Sequence, residues 1–201
     1  MTCIRTMIPS DKLEIEIVGR SLFREVDEIP LLHKALSLCI PELSLVIEEE
    51  NEILGFTLVC KKMTNVYYSF MGTIPNCYEL AFVGISPKCQ GRGFGSRLLK
   101  ETLVGIFQQT NDFTCWLIVD VINISAIRLY EKLGFRRWIQ TTSDMTMIPG
   151  YIMGLSHRRY QPIRWKPAPI LQLIPQLIPQ SITQLITQSI MQSTPIQSLC
   201  Y

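Results

Sequence analysis

The chain has only two histidines among 201 residues, His33 and His157, and none of its seven cysteines forms a Cys-x-x-Cys pair. A structural zinc site is therefore excluded, and an odd, scattered cysteine set excludes a disulfide framework. Reduced thiols in an intracellular, cytoplasmic setting are expected. Net charge is also missing. Lys+Arg 19 against Asp+Glu 17 leaves +2, so charge gives no reason to expect a nucleic-acid partner. Basic residues cluster only at Arg136–Arg137 and His157–Arg158–Arg159. The N-terminus lacks the apolar core of a signal peptide, because Arg5, Asp11, Lys12, Glu14 and Glu16 interrupt it. No uncharged apolar run long enough to span a bilayer occurs before residue 165.

After Lys166 no charged side chain remains, and residues 173–192 read LIPQ LIPQ SITQ LITQ SIMQ. Gln recurs every fourth position, close to the helical period, yet Pro175 and Pro179 would each remove a helical hydrogen bond. The expected division is a folded domain over 1–160 and a low-complexity, disordered tail over 161–201. The tail also has the composition of an apolar docking segment for a membrane surface or partner.

Within the domain, short helices are expected over Ser10–Leu22, with Ser10 or Asp11 as N-cap, and over Ile29–Cys39. Strands are expected at Leu43–Glu48 and Ile53–Lys61, joined by a turn at Glu49–Glu52, and at Tyr78–Ser86. Apolar spacing predicts a helix over Phe94–Phe107 and a buried strand over Thr114–Val119. Asn123 and Gly134 bracket a further helix, and Phe135–Gln140 and Tyr151–Leu155 read as closing strands. The order is two helices, then β-β-β-α-β-α-β-β.

The most informative stretch is Glu79-Leu-Ala-Phe-Val-Gly-Ile-Ser-Pro-Lys-Cys-Gln-Gly-Arg-Gly-Phe-Gly-Ser-Arg-Leu-Leu. A strand enters a loop with glycines at 91, 93 and 95, and the loop enters a helix. Glycines let backbone N–H groups approach a ligand, and the helix start adds unpaired donors and a positive dipole end. Such a cradle suits a pyrophosphate. Ser96 breaks the G-x-G-x-x-G spacing of a dinucleotide site, and no Gly-Lys-Ser/Thr of a P-loop is present.

Here the chain resembles the GNAT superfamily of acetyltransferases. That family's coenzyme A signature, Gln/Arg-x-x-Gly-x-Gly/Ala, stands as Gln90-Gly91-Arg92-Gly93-Phe94-Gly95, behind an apolar strand with Ile85 two residues before Pro87. Its second signature appears as Asn123-Ile-Ser-Ala126-Ile-Arg-Leu129-Tyr130-Glu-Lys-Leu-Gly134-Phe135, about 30 residues on. The resemblance spans residues 45 to 155 and implies a mixed α/β (α+β) fold with a central sheet of six to seven strands and about four helices. It implies acetyl-CoA as cosubstrate, no metal, and a primary amine of a protein, peptide or small molecule as acceptor.

Residue by residue, the resemblance implies backbone pairing of Val83, Gly84 and Ile85 with the pantetheine arm. Amides of Gln90, Gly91, Arg92, Gly93, Phe94 and Gly95 would hold the pyrophosphate, and Asn123 would touch the arm. Tyr130 would protonate the departing thiolate. Glu79 matches the strand glutamate that acts as general base in the histone-acetylating branch; an outward-facing, solvated residue is the other reading. Bacterial ribosomal-protein N-terminal acetyltransferases carry a glutamate on the following strand, where this chain has Ile118, with Asp120 two residues on. Glu25, Asp27 and Glu28 could draw a cationic acceptor, or form a solvated helix face. A covalent route through Cys89 or Cys115 lacks a histidine partner. The reading from another class is a catalytically weak coenzyme A-binding or interaction module acting through its tail.

Overall fold

The computed structural model describes residues 2–156 apart from 24–27, 62, 66–68, 70, 72, 75, 110–112 and 142–148. Glu25, Asp27, His157–Arg158–Arg159 and the tail at 161–201 therefore lie outside the described residues.

Seven strands form one sheet: β1 (Cys3–Thr6), β2 (Leu45–Glu49), β3 (Glu52–Cys60), β4 (Cys77–Ile85), β5 (Thr114–Asp120), β6 (Arg136–Thr141) and β7 (Gly150–Ser156), in the order β1-β2-β3-β4-β5-β7-β6. All neighbours are antiparallel except β4 and β5. Helices α1 (Lys12–Leu22) and α2 (Glu28–Leu38) cover one face, and α3 (Phe94–Gln109) and α4 (Ile124–Lys132) the other. The expected mixed sheet with about four helices is what the chain forms.

Each element has a local cause. The β2–β3 hairpin turns on Glu50 and Asn51, both with positive φ (54° and 64°), as a two-residue turn matched to strand twist requires. In α3, Leu98, Leu99, Thr102, Leu103 and Ile106 recur at three- and four-residue spacing and are buried. Leu99, Leu103 and Ile106 pack on Tyr78, Leu80, Cys115 and Leu117 of the sheet, and Leu98 on Ile47 and Leu54. Complete burial of a side chain such as Ile106 contributes roughly 1.5–3 kcal/mol. Ile15 and Gly19 of α1 face Leu32 of α2 over the opposite core, with Phe56 and Leu58 beneath.

Two expectations need correction. The chain opens with strand β1, so the element order does not begin with helices. β1 is a four-residue edge strand held by its ladder to β2 and by Arg5, which bridges Glu48 and Asp11. Neither Ser10 nor Asp11 caps α1 through its side chain. Asp11 sits in helical conformation, and its carboxylate takes the Ile8 N–H at 2.8 Å and the Arg5 guanidinium at 2.7 Å.

Candidate active site at the splayed strands

β4 and β5 pair only through Cys77↔Thr114, Tyr78↔Cys115 and Glu79↔Trp116. Beyond that rung both strands continue, β4 to Ile85 and β5 to Asp120, without pairing to each other. The sheet therefore opens as a V between them. β4 is also irregular at this point: Leu58 pairs with Phe82 and Val59 with Leu80, leaving Ala81 as the extra residue of a bulge.

The direction of the β4 backbone decides which groups face the V. Ser86 N–H donates to Leu54 of β3 at 2.8 Å. By the two-residue period, Gly84 also turns its N–H and C=O toward β3, whereas Val83 and Ile85 turn theirs toward the opening. Gln90 Nε2 donates to the Ile85 carbonyl at 3.1 Å, tying the glycine loop to that edge. Gly84, grouped with Val83 and Ile85 by the family resemblance, thus serves packing. A Cβ there would stand 2.7 Å from Phe56 Cε1 and 2.9 Å from Leu22 Cδ1.

At the mouth of the V, Pro87–Cys89 form a 3-10 turn and Gln90–Gly93 lead into α3. Gly91 and Gly93 both have φ +78°, a conformation that a side chain disfavours. Nothing lies within 4 Å of where a Cβ would stand on either residue. The first helical bond runs from Arg97 N–H to Gly93 C=O at 3.1 Å, so the N–H groups from Gly93 to Ser96 have no partner within the helix. Arg92 lies over the Phe94 ring at 4.5 Å and 3.7 Å from Glu49, its guanidinium half-exposed at the rim. Open space, donors and a fixed positive charge fit a pyrophosphate.

α4 stands beside this loop, since a Cβ on Gly95 would lie 3.6 Å from Ile85 and 3.8 Å from Leu129. The two sequence signatures are thereby brought together. Asn123 Oδ1 caps α4 by accepting the Ala126 N–H at 3.1 Å, and also takes the Ser125 hydroxyl at 3.1 Å, which leaves its amide N–H group for a ligand. Tyr130 packs edge-on against Phe135 with ring centroids 5.8 Å apart. Burial raises its pKa, with Cys115 nearby adding to the rise, and no hydrogen bond to its hydroxyl is found among the described residues. It stays a neutral donor.

Glu79 is not a solvated strand residue: it is 4 % exposed. Its Oε2 accepts the Thr64 N–H at 2.6 Å and its Oε1 the Thr64 hydroxyl at 2.9 Å. Lys34 of α2 donates to the Thr64 carbonyl at 2.5 Å and stabilises the whole group from behind. Burial raises the Glu79 pKa; the Thr64 bonds and the Lys34 charge oppose that rise. Strand alternation puts Glu79 with Cys60 and Trp116 on the α1/α2 side, while Tyr130 packs with Tyr78 and Cys115 on the α3/α4 side. The two candidates flank the foot of the V from opposite faces. The fixation of Glu79 by Thr64 carries no sequence signal.

Other candidates are placed as follows. Ile118 is half-buried, and Asp120 accepts the Ile122 N–H at 3.0 Å in the turn after β5. Glu28 lies in the first turn of α2. Burial pushes the Cys115 thiol far above its ordinary value, which disfavours a covalent role. Among the described residues, no group of three His, Cys, Asp or Glu could hold a metal ion, and no helix is long and apolar enough to cross a membrane.

A sheet parted between two parallel strands beside a glycine-bearing helix start defines the N-acetyltransferase fold. The model of the acetyltransferase (GNAT) family matches residues 17–135. The chain belongs to that family. The mycothiol acetyltransferase of Paenarthrobacter aurescens is 38% identical over 96 residues, 47% of this chain and 27% of that protein. The chain thus aligns with about a quarter of that relative's length. Among solved structures, the ribosomal-protein-S18-alanine N-acetyltransferase of Escherichia coli has a TM-score of 0.58 at 19% identity, covering 78% of this chain and 94% of that one. A GNAT family acetyltransferase from Brucella melitensis, solved with acetyl-CoA, has a TM-score of 0.55 at 20% identity over 84% and 94% of the two chains.

Proposed function

We propose that the protein transfers the acetyl group of acetyl-CoA to a primary amine by direct attack. The observation that carries this reading is the β4 edge at Val83 and Ile85, which has no partner strand beyond Glu79, opening beside the Gly91–Gly95 helix start. An extended pantetheine arm would add to that edge as a half-strand, and the pyrophosphate would meet the loop amides. Gln90, Gly91, Arg92, Gly93, Phe94 and Gly95 form the pyrophosphate cradle, and Asn123 offers its amide N–H to the arm.

In the reaction, the neutral amine nitrogen forms a bond to the thioester carbonyl carbon, and the carbon–sulfur bond breaks. Backbone N–H groups of the β4 edge polarise the carbonyl. The amine proton passes to Glu79, directly or through water, on one face of the sheet. Tyr130 protonates the leaving sulfur from the other. Acceptor basicity matters: at pH 7.4 a lysine of pKa about 10.4 is neutral about one part in a thousand, whereas an α-amine near pKa 8 is neutral about a fifth of the time.

The proposed organisation is a catalytic domain over 1–160 with a tail over 161–201 outside the reaction. The test is release of free thiol from acetyl-CoA against a panel of peptides and small amines, with a 1–165 truncation alongside. Amine-dependent release is expected from both proteins. Binding of CoA without release would favour a non-catalytic module.

A further inference from the structure

Cys39 and Cys60 face each other as an antiparallel pair, where the chain leaves α2 beside the end of β3. The Ile40 N–H donates to the Val59 carbonyl at 2.8 Å, whereas the Cys39 N–H closes the helix on Ala35 at 2.8 Å. The two cysteines therefore exchange no backbone bonds with each other, and theirs is the narrow kind of rung. In such a rung the Cα atoms stand about 4.5 Å apart and the side chains share a face. A disulfide needs a Cα separation of roughly 4.4–6.8 Å, so the backbone already meets that requirement.

The side chains agree with the backbone. Cys60 is buried in the core beneath α1 and α2, and the partly exposed Cys39 packs against the same cluster. Their thiols donate to consecutive carbonyls of α2, Cys39 Sγ to Leu36 at 3.6 Å and Cys60 Sγ to Ala35 at 3.7 Å. The Ala35 carbonyl keeps the Cys39 N–H if its thiol contact is given up. Burial raises both thiols above their ordinary value, and the Lys12 charge opposes the rise at Cys39. Cys39 is thus the sulfur that meets an oxidant first. The pair also lies close to Glu79, which stands opposite Cys60 in the β3–β4 ladder.

We propose that Cys39 and Cys60 form a reversible disulfide that staples the end of α2 to β3. The oxidant is a small-molecule disulfide such as glutathione disulfide. The Cys39 thiolate attacks one of its sulfurs, forming a mixed disulfide and releasing one thiolate. The Cys60 thiolate then attacks the Cys39 sulfur, forms the Cys39–Cys60 bond and releases the second thiolate. The two protons lost by the protein pass to the released thiolates. Two protein thiols are oxidised and one disulfide is reduced. The narrow rung sits at the lower end of the permitted range, which makes the bond easy to reduce again. The inference does not depend on the acetyl-transfer reading.

The full chain is incubated with glutathione disulfide, and the remaining thiols are alkylated. Cleavage after Glu, Lys and Arg separates Cys39, on fragment 35–42, from Cys60, on fragment 53–61. The two fragments should be recovered as one species, lighter than their sum by two hydrogens, that dithiothreitol splits. The melting temperature should rise by about 5 °C on oxidation and return on reduction, because the bond closes a loop of about twenty residues. Cys39→Ser should show neither the joined fragments nor the rise. Glutathione carried on Cys39 alone, or fragments recovered separately, overturns the proposal. So does a joined species with unchanged melting temperature, or an equal rise in C39S. If C39S does not fold, the digest and melting curve of the wild type decide by themselves.

Discussion

The Thr64 backbone N–H lies 2.6 Å from one oxygen of Glu79, and the Thr64 hydroxyl lies 2.9 Å from the other. One residue thus fixes both oxygens of a buried carboxylate and limits how it can swing. Any proton that Glu79 accepts must arrive along the remaining lone pairs, on the side of the V. Position and protonation are therefore set together.

Replacing Glu79 by Gln keeps the shape and the Thr64 N–H bond but removes the titration. If Glu79 is the base, kcat should fall about 100-fold, and the part of the pH–rate profile that titrates with Glu79 should disappear, leaving the rise set by neutralisation of the amine. Stability should respond in a defined direction. Because the folded-state pKa lies above the ordinary 4.5, the native chain holds this proton more tightly than the unfolded chain does. That contribution is complete below pH 4.5 and is lost as pH rises through the raised value. E79Q should therefore match wild type at acid pH and exceed it at neutral pH, as read by urea unfolding across a pH series.

Tyr130→Phe tests the acid. Burial holds the phenol protonated, and its hydroxyl makes no hydrogen bond among the described residues. Removing the oxygen should leave the melting temperature within about 2 °C, because no protein bond is lost. Activity should fall about 100-fold in kcat with little change in the KM for acetyl-CoA. A loss confined to KM would place Tyr130 in binding, with no part in proton transfer. Steady-state kinetics on purified, folded variant separates the two.

How far the sequence foretold this site depends on the range of the interaction. The glycine loop, the start of α3 and the Asn123 cap are set by residues within a few positions of one another, and they lie where the pattern put them. The run CIRT has neither alternation nor length, and β1 forms only through pairing with β2, about forty positions away. Asp11 reads as a cap because Arg5, its true partner, is placed by that strand. The environment of Glu79 was unreadable for the same reason: Thr64 and Lys34 reach it from a loop and from α2. Likewise, turning Val83 and Ile85 rather than Gly84 to the opening depends on the register with β3.

Gly91→Ala separates backbone strain from ligand approach. At φ +78° an added Cβ costs about 1 kcal/mol, and with nothing within 4 Å no neighbour has to move. The loss of folding stability should stay near that figure. Affinity for coenzyme A should fall more, about tenfold or beyond, since the methyl stands where the pyrophosphate is expected. Calorimetric titration with CoA, read beside chemical denaturation, gives both numbers. An unchanged affinity would mean that the cradle is not where the anion sits.

Asn123 holds two proposed duties that substitutions can divide. Its Oδ1 caps α4 through the Ala126 N–H at 3.1 Å, and its amide N–H group is left for the cofactor arm. Asn123→Ala should cost about 1 kcal/mol through loss of the cap and should weaken CoA binding as well. Asn123→Asp keeps the acceptor oxygen and places a negative charge at a helix start, so stability should be retained or slightly raised. The same change removes the N–H donor, so affinity for CoA should still fall several-fold. If N123D binds CoA as wild type does while N123A is merely less stable, the residue is a cap alone, and the arm is held by the β4 edge without it.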